Sequence, residues 1–119
     1  MACIFCQPQL YVLENDLAAA FYDLHPVSPG HLLIIPKAHY ATYFDVPETT
    51  RTAMLTLLDQ AKVMLDEARH PDGYNIGINV DAAAGQTVMH CHIHLIPRYH
   101  GDMPNPAGGI RKMLPHEAQ

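Results

Sequence analysis

Residues 89–97 have the sequence Met89-His90-Cys91-His92-Ile93-His94-Leu95-Ile96-Pro97, in which three histidines alternate with apolar residues. Alternation with a period of two predicts a half-buried β-strand. The three imidazoles then share one face with Val88 and Ile96, while the core-facing residues are Met89, Cys91, Ile93 and Leu95. A polar strand face without a chemical role is the simpler alternative, but the neighbouring segments supply a matching site.

The expected spacing of the histidines bears on metal binding. Because a strand rises about 3.3 Å per residue, neighbouring imidazoles are expected about 7 Å apart and the outer two about 13 Å apart. Zinc needs its ligand nitrogens at about 2.0–2.1 Å. We therefore do not expect His90 and His94 to hold the same ion, and the three histidines are expected to have separate roles.

The composition predicts a single folded domain over residues 1–119. Hydrophobic residues make up 49% of the chain, charged residues 16%, and the net charge is −5. The acidic balance disfavours a nucleic-acid partner, which needs a basic surface. No apolar run approaches about 18 residues and no leader precedes Cys3, so we expect neither a membrane partner nor a signal peptide. Three cysteines, an odd number, suit a reducing compartment, and we expect a cytoplasmic protein.

Short strands, hairpin connections and one long helix predict an α+β fold. The strand candidates are residues 10–14, 17–23, 31–36, 74–80 and 88–98, of which the last two are expected to be antiparallel neighbours. We expect Asp45 to cap the helix, with Glu48 completing a capping box. Its core-facing stripe is formed by Met54, Leu57, Leu58, Ala61, Leu65 and Ala68. The expected architecture is a mostly antiparallel five-stranded sheet with one long helix packed on it, followed by an irregular arm over residues 100–119.

The N-terminal segment, residues 1–10, carries half of a tetrahedral zinc site. Thiolates spaced as Cys3-x-x-Cys6 bind zinc well, and His39 and His90 are the candidates for the other two ligands. Four protein ligands would close the site, so this zinc would be structural. A redox-active pair and unmetallated thiols remain as alternatives. We interpret Cys91 as a small buried side chain.

If His90 binds zinc, His92 and His94 are free for chemistry. A neutral imidazole is a competent nucleophile toward phosphorus, and a second one can hold a phosphate oxygen or protonate a leaving group. The small residues of Gly85-Gln86-Thr87 let backbone N–H groups approach a phosphate. No Walker-type loop and no carboxylate pair for magnesium is present, which disfavours a kinase. The residues predict phosphoryl or nucleotidyl transfer without a catalytic metal.

The segment His90-Cys91-His92-Ile93-His94-Leu95-Ile96 resembles the motif of the histidine triad (HIT) superfamily, in which three histidines alternate with apolar residues. The resemblance extends from Cys3 to about Pro115. It includes Phe21-Tyr22-Asp23, Pro29-Gly30-His31, Ile35-Pro36-Lys37-Ala38-His39, Asn79 and Gly85-Gln86-Thr87. The chain looks like the zinc-binding bacterial branch, in which the ligands correspond to Cys3, Cys6, His39 and His90.

This resemblance implies a nucleotidyl hydrolase or transferase acting on a purine nucleotide or dinucleotide. His92 would attack the α-phosphorus, and His94 would bind the phosphate and assist the leaving group. The implied substrate contacts are Asn79, Gln86 and Thr87 at the phosphate, Asp23 at the ribose, Phe21 and Leu24 at the base, and His31 in the network behind the triad. Homodimers are common in the family and are expected here. A nucleotide-binding regulatory or scaffold protein is the alternative function, and we interpret Arg111 in the arm as solvated.

Overall fold

The computed structural model describes residues 3–7 and 10–115. Five antiparallel strands form one sheet in the order β1-β2-β3-β5-β4. The elements are β1 (Leu13–Glu14), β2 (Ala18–Tyr22), β3 (Leu32–Pro36), α1 (Glu48–Arg69), β4 (Gly73–Gly77) and β5 (Ile93–Arg98). The predicted α+β class, the five-stranded sheet and the long helix are confirmed. Within the described ranges, no helix combines the length and the apolar character that a membrane crossing requires.

The two faces of the sheet are covered differently. One face packs on α1, where Ile34, Ile93 and Leu95 of the sheet join Met54 and Leu57 of the helix in a buried core. The other face carries a smaller cluster of Phe5, Ala19, Phe21, Leu33 and Ile35. Burial alternates along β5, which gives Ile93 and Leu95 to the helix side and His94 to the opposite side. The sheet therefore presents its histidine side chain away from α1.

The start of α1 differs from the prediction. The carboxylate of Asp45 accepts hydrogen bonds from the backbone N–H and the hydroxyl of Thr42, 3.1 and 2.9 Å away, and so caps the short 3₁₀ turn Tyr43–Asp45. Pro47 occupies the N-cap of α1 with extended backbone and makes no side-chain cap hydrogen bond. The expected capping box of Asp45 and Glu48 is therefore wrong, because Asp45 is already bonded within the preceding turn.

The apolar stripe of α1 largely agrees with the prediction. Met54, Leu57, Ala61 and Leu65 are fully buried, and Leu58 is half-buried. Ala68 is exposed, which corrects its assignment to the core. In the last turn of α1 the Arg69 side chain lies against Gly30. A Cβ atom added at Gly30 would be only 2.7 Å from the Cδ atom of Arg69.

The histidine strand is shorter than the alternation predicts. Pairing between β3 and β5 aligns Leu32, Leu33 and Ile34 with Leu95, His94 and Ile93 and goes no further. Pro36, near the end of β3, has no N–H for a ladder hydrogen bond. Residues 88–92 bend away instead, and the Cys91 N–H donates to the carbonyl of Tyr40 at 2.7 Å.

Two apolar residues of this segment have different environments. Met89 is 41% exposed, so the prediction that it faces the core is wrong. Cys91 is buried as predicted, and this burial raises the pKa of its thiol to about 11. The predicted alternation of core-facing side chains with histidines therefore holds from Cys91 onward and fails at Met89.

Candidate active site and metal-ligand cluster

The four predicted zinc ligands lie together. The ligand atoms of Cys3, Cys6, His39 and His90 are all within 4.8 Å of one another. The His90 Nδ1 atom is 3.2 Å from the Cys3 Sγ and 3.4 Å from the Cys6 Sγ, and the His39 Nδ1 is 3.4 Å from the Cys6 Sγ. A tetrahedral zinc ion separates its sulfur and nitrogen ligands by about 3.5 Å. Two thiols and two imidazoles at these distances fit zinc.

A backbone carbonyl determines which nitrogen of His90 faces the thiols. The His90 Nε2 lies 2.8 Å from the Pro36 oxygen. A carbonyl only accepts, so Nε2 carries the proton and the Nδ1 lone pair faces the two sulfurs. Burial lowers the pKa of His90, which favours the neutral ring. Metal-binding histidines are commonly held in this way, with the rear N–H donating to a carbonyl or carboxylate.

A cavity of about 560 Å³ opens beside this cluster, on the sheet face opposite α1. It contains both predicted catalytic histidines, His92 and His94. It is also lined by five of the predicted substrate contacts: Phe21, Asp23, Leu24, Asn79 and Thr87. The structure therefore brings together most of the residues that the sequence singled out.

Gln86 takes a different position from the one expected. Its side chain is 4% exposed, and its amide nitrogen donates to the carbonyls of Ala41 and Val88 at 2.6 and 3.0 Å. Its amide oxygen accepts from the Asp81 N–H at 2.7 Å. These bonds brace the loop over residues 81–88 from behind. A direct contact between Gln86 and a phosphate stays a prediction.

His92 is held so that one ring nitrogen is available to the cavity. Its Nδ1 lies 2.8 Å from the carbonyl oxygen of His90 and must donate a proton to it. The Nε2 atom of the neutral ring then carries the lone pair. His92 is 8% exposed and lines the cavity. This is the protonation state that a nucleophilic imidazole needs.

His31 and His94 form a hydrogen-bonded pair whose proton positions are also fixed. The Val27 N–H donates to the His31 Nδ1 at 3.2 Å, so the His31 proton is on Nε2. That Nε2 lies 2.9 Å from the His94 Nδ1 and donates to it, which leaves the His94 proton on Nε2. Burial and the neighbouring His92 and His31 rings lower the pKa of His94 to about 4. His94 is therefore a neutral hydrogen-bond donor near pH 7.

Asp23, His31 and His94 also bring possible ligand atoms within 4.8 Å of one another. The Asp23 Oδ2 lies 3.5 Å from the His31 Nε2. A metal there would need a lone pair on the His31 Nε2, but the Val27 N–H places the proton on that atom. This group fits a hydrogen-bond relay better than a metal site.

Several cavity residues were not predicted from the sequence, among them the buried Phe5. Its ring meets His92 edge-on, with centroids 5.1 Å apart. Ile4, His25 and Val88 also line the cavity, and the His25 N–H fixes the Asp23 carboxylate at 2.9 Å. The apolar pair between the two cysteines was the available signal for Ile4 and Phe5. The His92 and His94 ring centroids are 5.0 Å apart, closer than the strand spacing predicts, and His92 lies just before the start of β5.

Comparison with known proteins agrees with this geometry. The family model described as the HIT domain matches residues 6–101. An adenylylsulfatase of Arabidopsis thaliana is 38% identical over 106 residues, which cover 84% of this chain and 54% of that protein. The chain thus spans about half the length of this relative. An adenosine 5′-monophosphoramidase of Schizosaccharomyces pombe is 35% identical over 116 residues, covering 92% of this chain and 80% of the relative.

A solved structure carries the same fold. The crystal structure of a zinc-bound histidine triad family protein from Mycobacterium smegmatis superposes with a TM-score of 0.79 at 34% identity, covering 87% of this chain and 80% of the other. The α+β fold is thus common to both chains. The chain belongs to the HIT domain family. The resemblance is confirmed, and the names of the two relatives agree with the prediction of an enzyme.

Proposed function

We propose that this protein is a nucleotidyl hydrolase or transferase that forms a covalent intermediate on His92. The hydrogen bond from the His92 Nδ1 to the His90 carbonyl carries this proposal, because it leaves an unprotonated Nε2 on a ring that lines the cavity. The names of the relatives support an adenylyl group as the part that is transferred. Suitable substrates are adenylyl compounds with a sulfate, amine or phosphate leaving group, including dinucleoside polyphosphates.

The reaction proceeds in two displacements at phosphorus. The Nε2 lone pair of His92 attacks the α-phosphorus, an N–P bond forms, and the bond from phosphorus to the leaving group breaks. The His94 N–H donates a hydrogen bond to the phosphate or to the departing atom. Water or a phosphate acceptor then attacks phosphorus, the N–P bond breaks, and the electron pair returns to His92. In the first displacement an amine leaving group takes up a proton from solvent as it departs, whereas sulfate or phosphate departs as the anion. In the second displacement the attacking water gives its proton to solvent.

The remaining cavity residues suit a nucleotide. A volume of about 560 Å³ is within the usual range for a small-molecule site. Phe21 and Leu24 provide apolar walls for a base, and the Asp23 carboxylate can accept from ribose hydroxyls. Asn79 and Thr87 supply donors to the phosphate, and Thr87 lies on the loop that Gln86 braces.

We assign zinc a structural role in this proposal. Cys3, Cys6, His39 and His90 would hold the ion, and four protein ligands leave no open position for substrate. When bound, it cross-links the N-terminal segment to the loop after β3 and to His90. The steps assigned to His92 and His94 use no catalytic metal. Homodimerisation and a cytoplasmic location stay expectations from the sequence.

Mass spectrometry of the intact, zinc-loaded protein tests the covalent step. The protein is mixed with adenosine 5′-phosphoramidate and quenched at alkaline pH, where phosphohistidine survives. We expect an added mass of one adenylyl group, absent in His92→Ala. His100→Ala is the matched control, because the His100 side chain is 92% exposed and lies outside the cavity. An adduct in His92→Ala contradicts the proposal. Nucleotide binding with neither adduct nor product in the wild type would favour the scaffold alternative.

A further inference from the structure

One short segment belongs to both the metal-ligand cluster and the cavity. Residues 3–6, which we call the knuckle, place a metal ligand at each end and two cavity residues, Ile4 and Phe5, between them. The knuckle is a 3₁₀ turn over Ile4–Cys6, closed by a hydrogen bond from the Cys6 N–H to the Cys3 carbonyl at 3.1 Å. The same four residues therefore serve two neighbouring sites.

The Phe5 side chain makes the connection between those sites. Its ring packs edge-to-face against the metal-ligand candidate His90, with centroids 6.0 Å apart, and against His92 at 5.1 Å. It also meets Phe21, a predicted base contact, at 5.5 Å. Only 9% of Phe5 is exposed. A displacement of this ring would reshape the cavity beside both His92 and Phe21.

A single 3₁₀ turn has little stability of its own and depends on other contacts to hold it. The knuckle sulfurs face nitrogens of His39 and His90, which come from two distant parts of the chain. A metal bound to these four residues would fasten the turn at both ends. Phe5 would then be fixed in the wall of the cavity.

We propose that nucleotide affinity depends on metal occupancy, because the metal holds the knuckle in place as one wall of the nucleotide cavity. The inference rests on the proposed function only for the identity of the ligand. Linkage requires the effect to be reciprocal, so that AMP strengthens zinc binding by the same factor by which zinc strengthens AMP binding. We expect about tenfold, the size of losing one aromatic neighbour of a base.

Two binding measurements test this coupling without any turnover. Isothermal titration calorimetry compares AMP binding to zinc-loaded and zinc-stripped protein, and a chromogenic chelator competes for zinc with and without saturating AMP. Equal AMP affinity in both forms, together with zinc affinity unchanged by AMP, overturns the proposal. Circular dichroism of the stripped protein shows whether the sheet persists.

Substitution of the connecting ring gives a test in zinc-loaded protein. Phe5→Ala removes the Phe5 ring from the cavity wall but keeps all four candidate metal ligands. Phe44→Ala is the matched control, because Phe44 is 71% exposed and outside the cavity. We expect Phe5→Ala to bind AMP about tenfold more weakly and to lose most of the coupling. Phe44→Ala should match the wild type in both. Normal AMP affinity in Phe5→Ala overturns the proposal even if the stripped protein unfolds.

The outcomes separate this inference from the proposed function. An adduct on His92 without any coupling between zinc and AMP removes the inference alone. Coupling without an adduct keeps the inference and removes the proposed chemistry, since AMP binding needs no reaction.

Discussion

Two groups of side chains in this protein contain residues of the types that bind metals, yet their protons are arranged in opposite ways. In both groups the possible ligand atoms lie within 4.8 Å of one another. Behind His90 stands the Pro36 carbonyl, an acceptor, which turns a lone pair toward Cys3 and Cys6. Behind His31 stands the Val27 N–H, a donor, which turns a proton toward His94. The backbone group behind an imidazole, rather than the residue type, separates a candidate metal ligand from a hydrogen-bond donor here.

His92 extends the comparison, because it also has a carbonyl behind it but faces a cavity instead of thiols. His92→Asn should lower kcat on adenylyl substrates by at least about 10³-fold, since it removes the attacking nitrogen. Zinc content should not change. Steady-state kinetics with elemental analysis of the same sample measures both. Retained turnover would show that the lone pair assigned to His92 is not the nucleophile.

The substitution His31→Leu tests the group in which His31 donates a hydrogen bond to His94. The substitution leaves the His94 Nδ1 without its donor, so the N–H that His94 presents to substrate is no longer fixed. We expect kcat to fall about 100-fold, the lower end of the range for a lost acid–base group, because His31 acts through His94. AMP affinity and zinc content should stay near the wild-type values.

Elemental analysis of these proteins tests directly whether the two groups differ in metal binding. If the Asp23, His31 and His94 group binds metal, the wild type will hold two zinc ions per chain and His31→Leu will hold one. We expect one in each.

The substitution Cys3→Ser tests the Cys/His cluster, in which the His90 lone pair faces the thiols. The variant should lose its zinc and unfold about 5–10 °C lower, because structural zinc contributes directly to folding stability. At saturating nucleotide the His92 adduct should still form, since no step uses the metal. Thermal unfolding and elemental analysis are the measurements. Stoichiometric zinc in this variant would remove Cys3 from the ligand set.

The smallest expected effect is on acid stability. The pKa of His94 is lowered to about 4 in the folded state, against about 6.5 for an unfolded histidine. Between these values the unfolded chain binds a proton that the folded chain does not, so stability falls as the pH drops from about 6.5 toward 4.

His94→Gln should remove this contribution. Its loss of stability on acidification should be smaller than that of the wild type, by on the order of 1–2 kcal/mol. Urea unfolding at about pH 7.5 and about pH 4.5 gives the difference between the two proteins. Parallel losses in the two proteins would show that His94 is not held neutral by the fold.

The sequence predicted the features that local patterns determine. The stripe of α1 follows helical spacing, and Ile93 and Leu95 alternate with His94 as a strand requires. The strand was too long in the prediction because its end depends on Pro36 in the neighbouring strand. The helix cap failed for a similar reason, since the loop conformation at residues 42–45 commits Asp45 to Thr42.

The site was predictable in its residue types but not in its proton positions. The histidine motif indicated which rings matter. The Pro36 carbonyl that orients His90 lies 54 positions away in the chain, and no spacing rule connects the two. Phe5 was missed because two apolar residues between Cys3 and Cys6 show no periodicity. Its role follows only from the packing of the knuckle against His92.

Burial of Cys91 makes the three thiols of this chain unequal toward electrophiles. Its raised pKa, about 11, and 1% exposure leave almost no thiolate for iodoacetamide to alkylate. Cys6 is exposed and Cys3 half-buried, so when no metal shields them they are more accessible to the reagent than Cys91, even though the neighbouring Cys3 raises the pKa of the Cys6 thiol. Counting alkylated cysteines by peptide mapping would thus give the fraction of chains whose Cys/His cluster holds no metal. Cys91 serves as the internal unreacted standard.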